Sequence, residues 1–402
     1  MIKLKESIYN HHFKVDNREF VFNCKENGLI EVDNSNLLDM PKYYNELIEQ
    51  GYLIDNEVDE FKELIEEVGY NVKNDFFSLD ITLSLTEKCN FNCVYCYQTR
   101  NPVEMTIKEA NKLLEKVKTL LEINNYKELR ISYFGGEPLL NYNILLHLHN
   151  EFKKMCDKLH ILYLPYLVTN GYLLDIENII QINFETIQIT IEGMKDTHNH
   201  LRKSNSNSFD KIISNIDNII DRINSRIIFR INLCKENVLE ASELIKYLTK
   251  RYSKYLERIS FVFSQMEKHS LDAEFEMLSY DEFCMAYLEC FKTLQLCGKD
   301  ILIPNSLPNP CPFVTKNAYY LSPKLELLSC TGKDDSMEYE FTVSNIINER
   351  KDFPYPKECS ECKVLPLCMG GCEVKRELGF SGCIPEKVVL DDLLTFIVRE
   401  QF

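Results

Sequence analysis

Eight residues, Cys89-Asn90-Phe91-Asn92-Cys93-Val94-Tyr95-Cys96, constrain this chain more than any others. Their three cysteines are spaced C-x3-C-x2-C and follow an alternating apolar stretch at 79–85. That stretch predicts a strand. A loop of this spacing at its end can turn three thiolates toward one cubic iron–sulfur cluster. A 4Fe–4S cube has four irons, so three local thiolates leave one iron without a protein ligand. An open iron is a place for chemistry, whereas a fourth cysteine would suit plain electron transfer. A zinc loop is the competing reading. Zinc wants four ligands, and residues 86–105 offer neither a histidine nor a fourth cysteine.

The 402 residues suffice for a large core with one or two added modules. Sixteen cysteines is a high count, and ten of them fall in two groups, three at 89–96 and seven at 311–383. No secretory signal is read at the start: Met1-Ile2-Lys3-Leu4-Lys5 leads into polar residues rather than an apolar stretch. The expectation is a reducing, cytoplasmic setting, where clustered cysteines point to metal rather than to disulfides. No apolar run reaches the length that spans a membrane, so no membrane partner is expected. The net charge of −16 argues against a nucleic-acid-binding face. The acidic excess is uneven, with 8 Lys and Arg against 17 Asp and Glu in residues 1–75. Solubility accounts for such a segment, and so does attraction of a basic partner.

Three regions follow one another. Residues 1–76 predict short strands at 13–23, around Asp16-Asn17, and at 28–33. A helix at 43–50 is stopped by Gly51, and a second at 57–67 is ended by Gly69. This is a small α+β module, winged-helix-like in outline. Residues 77–270 alternate strand and helix, with strands at 79–85, 129–134, 161–168, 186–191, 227–233 and 259–263. Thr106 caps the first helix, whose Ile107, Ala110, Leu113, Leu114, Val117, Leu120 and Leu121 fall at helical spacing. Further helices are predicted at 143–155, 175–181, 209–223 and 239–252. Six βα units imply a parallel sheet with right-handed crossovers, an α/β fold in the form of a partial (β/α)6 TIM-like barrel. Ligands then bind at the C-terminal strand ends, where Cys89 begins. Residues 271–402 lose the rhythm: a helix at 280–296 leads into Pro304, Pro308, Pro310 and Pro312, and a terminal helix covers 386–399. An irregular, cysteine-rich stretch between them needs staples, and iron–sulfur clusters would serve.

With Cys89, Cys93 and Cys96 behind a strand and Tyr95 before the last of them, the chain resembles the radical S-adenosylmethionine (SAM) superfamily. The resemblance implies that these three cysteines hold a 4Fe–4S cluster and that SAM chelates the open iron. Gly135-Gly136-Glu137-Pro138 follows the second strand and resembles the family element that meets the methionyl amino group. Its two glycines let backbone approach a ligand closely. Thr169-Asn170-Gly171 ends the third strand and is also an ordinary turn signal. Ile189-Thr190-Ile191-Glu192-Gly193, with His198 and Arg202, resembles the pattern S-x-D-G…H-x3-R, Thr190 replacing Ser and Glu192 replacing Asp. Thr190 then bonds the ribose or methionine part of SAM, and Arg202 pairs with its carboxylate. A surface charge is the other reading of Arg202, and His198 is read as structural. The implied SAM-binding residues are thus Tyr95, Gly135, Gly136, Glu137, Thr190 and Arg202, and no catalytic side chain is assigned.

The distal cysteines follow C-x18-C and then C-x2-C-x5-C-x3-C-x10-C, which resembles the SPASM domain and its two auxiliary 4Fe–4S clusters. By that resemblance Cys359, Cys362, Cys368 and Cys383 close one cluster, and Cys311, Cys330 and Cys372 hold the other. The second then has an open iron, able to take a substrate thiolate unless Cys297 fills it. Zinc knuckles share the C-x2-C spacing and are the competing reading. Cys24, Cys156, Cys234, Cys284 and Cys290 read as ordinary core or surface cysteines.

The implied chemistry begins with one electron passed to the SAM sulfonium. A 5′-deoxyadenosyl radical results and removes a hydrogen atom from an unactivated carbon. Auxiliary clusters would take the electron left behind, making the net reaction a two-electron oxidation. The expected function is a peptide maturase that forms a thioether or carbon–carbon crosslink in a ribosomally made precursor. Its cofactors are SAM and three 4Fe–4S clusters, and its electron donor is of flavodoxin or ferredoxin type. The strands within 13–33 then either capture the precursor's leader as an added strand or merely support the barrel. The first alternative is an anaerobic sulfatase maturase converting Cys or Ser to formylglycine. That group usually carries Asp after the second auxiliary cysteine, whereas here Thr331 follows Cys330, with Asp334 and Asp335 further on. The second alternative is a non-catalytic iron–sulfur electron carrier or zinc scaffold, which leaves the glycine pair and the 189–202 segment without a role.

Overall fold

A computed structural model describes residues 3–34, 36–74, 77–98, 101–204, 207–268, 273–299, 304, 311, 315, 317–332, 336–340 and 355–401. Pro308, Pro310, Pro312, Asp334 and Asp335 lie outside the described residues. The chain forms two compact units, one of Met1–Asn74, Tyr280–Thr315 and Lys351–Phe402, the other of Asp75–Ser279 and Lys316–Arg350. The predicted third region, 271–402, is therefore shared between them rather than standing as one piece.

In the first unit the chain begins with β1 (Leu4–Glu6), β2 (Asn10–Val15), β3 (Arg18–Asn23) and β4 (Gly28–Val32). Helix α1 (Tyr44–Glu49), β5 (Leu53–Asp55) and α2 (Glu60–Asn74) follow. β2, β3 and β4 make an antiparallel meander, and β1 pairs antiparallel with β5. The β2–β3 turn falls at Asp16-Asn17, where Asp16 takes φ 56°, a left-handed conformation that a short polar side chain tolerates. Gly51 stops α1 with φ 72°. Gly69 does not stop α2, which continues to Asn74. One helical glycine costs about 1 kcal/mol, and burial of Leu64 and Val68 on the inner face of the helix outweighs it.

The second unit holds β6 (Ser78–Ser84), β7 (Glu128–Phe134), β8 (Leu162–Thr169), β9 (Thr186–Thr190), β10 (Arg226–Leu233) and β11 (Ile259–Gln265). Each pairs in parallel with the next. The crossovers carry α3 (Ile107–Ile123), α4 (Tyr142–Leu159), α5 (Ile176–Ile182), α6 (Lys195–Arg202), α7 (Ser208–Ile220) and α8 (Ala241–Arg251). This is a partial TIM-like barrel, with helix-facing residues such as Leu79, Ile81, Leu83, Leu129 and Ile131 at most 1% exposed. Thr106 and Glu109 close a capping box at the start of α3. The predicted apolar residues of α3 are buried except Ile107, which is 51% exposed. The sheet also extends past β6: β12 (Ala318–Leu321) pairs with it in parallel, and β13 (Glu326–Leu328) and β14 (Ser336–Glu340) add antiparallel strands. The sheet therefore has nine strands among the described residues, three more than predicted.

The first unit resumes with α9 (Tyr280–Leu296), α10 (Leu365–Cys368), α11 (Glu373–Glu377) and α12 (Glu386–Gln401). Cys284 and Leu288 of α9 pack against Val389, Leu393 and Ile397 of α12. A larger core joins the two ends of the chain: Tyr9, Phe13, Phe22, Cys24, Leu64 and Val68 pack with Leu365, Met369, Leu390, Leu394 and Val398. Cys24, Cys156, Cys234, Cys284 and Cys290 are all buried. No helix of the described residues is long and apolar enough to cross a membrane.

Candidate functional site

The C-terminal ends of the parallel strands gather the residues singled out in the barrel unit. The loop after β6 is stitched down first. Glu87 N donates to Val103 O at 3.0 Å, Met105 N to Leu85 O at 2.9 Å, and Val94 N to the end of α6 at Leu201 O, 3.0 Å. On this loop Cys89, Cys93 and Cys96 are each partly exposed. Phe91 N donates to Cys89 Sγ at 3.4 Å, and Asn170 Nδ2 reaches the same sulfur at 3.9 Å. Burial pushes the Cys93 thiol up to about 11, while the Arg202 guanidinium pulls it the other way. Burial also raises Cys89. Among the described residues no three His, Cys, Asp or Glu side chains are arranged to hold a single metal ion.

The glycine pair after β7 has a definite steric reason. A Cβ on Gly135 would stand 2.3 Å from Thr86 O, and one on Gly136 would stand 2.2 Å from Lys88 O. Gly135 also takes φ 129°. The close approach seen here is to the chain's own segment leading into Cys89, secured by Gly136 N to Thr86 O at 2.8 Å and Glu137 N to Lys88 O at 2.9 Å. Glu137 is fully buried and turns the other way. It accepts from Thr169 Oγ1 at 2.9 Å, Asn170 N at 2.8 Å and Leu139 N at 3.1 Å. Asn170 Nδ2 then donates to Asn90 Oδ1 at 2.7 Å. The motifs after β7 and β8 thus form one hydrogen-bonded frame around the cysteine loop.

A second network lies at the ends of β9 and β10. Glu192 has no exposed surface. Its carboxylate accepts from Tyr95 Oη, from Asn232 N at 2.8 Å and from Asn232 Nδ2 at 2.8 Å. Arg202 Nη1 lies 3.6 Å from it and donates to Tyr95 Oη at 2.6 Å. The guanidinium also sits over the Phe91 ring, 5.3 Å from its centre. Arg202 is 7% exposed, so the surface-charge reading falls. Burial raises the Glu192 carboxyl, and the Arg202 charge opposes that rise. His198 accepts from Glu192 N through Nδ1 at 3.2 Å. Burial lowers its pKa to about 3, which keeps it a neutral, structural acceptor. Thr190 is buried at the end of β9. Among the described residues three buried donors in this region have no acceptor, Asn90 Nδ2, His198 Nε2 and Arg202 Nε.

The sequence reading missed Asn232 and Asn237. Asn237 Nδ2 donates to Glu192 O at 2.5 Å and to Asn232 O at 2.8 Å. The available signal was a polar residue, Asn232, inside the apolar run of β10.

Four of the distal thiols form a second candidate site, within the first unit. Burial, then Cys362 and Cys383, raises Cys359; burial raises Cys368, with the Gly370 N–H opposing and Cys362, Cys359 and Cys383 adding to the rise. Met369, Gly370 and Gly371 turn the chain there with φ 47°, 87° and 71°. A Cβ on Gly371 would stand 2.0 Å from Gly382 O, and Cys372 N donates to that same oxygen at 2.8 Å. Of the remaining three, Cys311 and Cys372 belong to this unit and Cys330 to the barrel unit. Cys311 is exposed, and Cys330 and Cys372 are partly exposed.

Residues 83–248 match the profile of the radical SAM superfamily. The radical SAM cyclopropyl synthase TigE of Paramaledivibacter caminithermalis is 33% identical over 168 residues, 36% of this chain and 33% of that protein. The match thus spans about a third of that curated relative's length. Native anSMEcpe with bound AdoMet and Cp18Cys peptide superposes with a TM-score of 0.58 at 16% identity, covering 81% of this chain and 100% of the other. Streptococcus suis SuiB bound to precursor peptide SuiA gives 0.53 at 13% identity, covering 93% and 96%. At these identities the two solved structures speak for the fold.

Proposed function

From a chain whose residues 83–248 carry a radical SAM domain, we propose that the protein is a peptide maturase that oxidatively crosslinks a ribosomally made precursor. The observation that carries the reading is a likeness of fold over 93% of the chain, both units included, to a protein solved with its precursor peptide. Peptide occupancy in anSMEcpe points the same way. A 4Fe–4S cluster with SAM, when bound, supplies a 5′-deoxyadenosyl radical that removes a hydrogen atom from an unactivated carbon.

Cys89, Cys93 and Cys96 would hold that cluster. The donor set fits: three thiols on one loop, and beside them two unsatisfied buried donors, Asn90 Nδ2 and Arg202 Nε, that call for an acceptor-rich group. Gly135, Gly136 and Glu137 fix the height of the loop through Thr86 and Lys88. Tyr95, Thr190 and Arg202 would line the SAM site, with Arg202 held by Glu192 and its Nε left to donate to a carboxylate. Cys359, Cys362, Cys368 and Cys383 would carry one auxiliary cluster, and Cys311, Cys330 and Cys372 another. A flavodoxin- or ferredoxin-type protein would supply the electron. The β2–β4 meander would take the precursor's leader along an open edge.

The test is incubation of the reconstituted enzyme with SAM, a reductant and the peptide encoded beside its gene. The expected product has lost the mass of two hydrogen atoms per link, alongside 5′-deoxyadenosine. Formylglycine in a sulfatase-type Cys or Ser peptide, with no crosslink, would instead establish the sulfatase-maturase reading.

A further inference from the structure

Lys387 stands on the first turn of α12, one helical step beyond Cys383. Its Nζ donates to Cys383 Sγ at 3.4 Å, the one side-chain hydrogen bond it makes among the described residues. The link between the two is held from another segment, because Tyr280 Oη donates to Ile384 O at 2.8 Å. Tyr287 Oη donates to Glu386 Oε1 at 2.7 Å and so occupies the neighbouring carboxylate. The ammonium is therefore left facing sulfur rather than an acid. A second cation backs the same loop, with Arg376 Nη1 donating to Gly370 O at 2.6 Å.

Four thiolates around an iron–sulfur core carry a net negative charge. The potential of such a core is set by net charge, by hydrogen bonds to its sulfurs and by exposure. A positive charge bonded to one ligand sulfur stabilises the reduced, more negative state. We propose that Lys387 is the potential-setting residue of the four-thiol site, its charged hydrogen bond to Cys383 making that site a better electron acceptor. This rests on the reading that Cys359, Cys362, Cys368 and Cys383 hold a cluster. In turnover the site would gain one electron as the peptide radical closes its new bond to a second group of the peptide, whose hydrogen leaves as a proton to solvent. It would then pass that electron to a flavodoxin- or ferredoxin-type acceptor.

The experiment is EPR-monitored potentiometry on full-length protein reconstituted with iron and sulfide. Cys89, Cys93 and Cys96 are replaced by Ala to silence the first cluster. Further replacement Cys359→Ala and Cys362→Ala identifies the signal of the four-thiol site. If iron content and signal survive that replacement unchanged, the cluster reading itself fails. With the signal present, Lys387→Met is expected to weaken electron uptake at least tenfold, a shift of about 59 mV to lower potential for a one-electron couple. Lys387→Arg should restore the potential, and Lys292→Met, at a surface pair with Glu289, should leave it in place. An unshifted potential in Lys387→Met overturns the proposal. If that variant loses iron, Lys387→Gln keeps a donor without the charge. An unshifted potential there, or loss of iron in both, shows a role in holding the loop and equally overturns it.

Discussion

Glu192 illustrates how a buried charge is tolerated. Burying a carboxylate is costly unless donors and a counter-charge surround it, and here Tyr95, Asn232 and Arg202 do so. Glu192→Ala should leave the Arg202 charge buried without its carboxylate, at a cost of about 3–5 kcal/mol. The expected reading is a clear fall in the thermal unfolding midpoint under anaerobic conditions. An unchanged midpoint would mean that Tyr95 and the Phe91 ring suffice for Arg202. At this scale the sequence was legible where chemistry depends on local spacing. Cys89, Cys93 and Cys96 share one loop, so their grouping can be read directly. Asn232 and Asn237 lie 40 and 45 residues from Glu192, and no local pattern connects them. The glycine pair was legible as a close approach, but what approached it was the chain itself.

At the scale of elements, amphipathic pattern and turn chemistry located the six barrel strands and most helices to within a few residues. Two misses have physical causes. α6 is short and polar, so its apolar stripe is too narrow to stand out, although Leu201 anchors it. β12 is four residues long among prolines and cysteines, and pairing with β6 and β13 makes it a strand. Helix α4 also carries a pH-sensitive residue. Burial first, then the Lys153 charge, lowers the His149 pKa to about 4, against an ordinary value near 6.5. The unfolded chain therefore takes up this proton more readily than the folded one. The contribution is full above about 6.5 and is lost as pH falls toward about 4. His149→Leu should narrow the difference in unfolding midpoint between about pH 7.5 and about pH 5. It should not abolish it, because His198 titrates in the same sense. A difference as wide as in the parent would remove His149 from the account.

On the scale of the whole molecule, the sequence suggested three successive domains, and the structure groups the chain as two units. The reason is a core that local pattern does not reveal. Tyr9, Phe22 and Leu64 close against Leu365, Leu390 and Leu394, residues from opposite ends of the chain. Removing residues 1–74 should therefore expose that apolar face and, with the proposed cluster in place, lower the iron held by the distal thiols. Iron per chain and accessibility of Cys359 to alkylation would measure it. Retention of the distal iron in the truncated protein would show that the loop stands without the N-terminal strands.

The same core has a consequence for synthesis. The β2–β4 meander leaves the ribosome well before its packing partners on α10 and α12. At about 5–20 residues per second, the wait is on the order of tens of seconds. Through that interval Phe13, Phe20 and Phe22 have no complete core to enter. Strands made early in synthesis thus finish folding only once α12 has emerged.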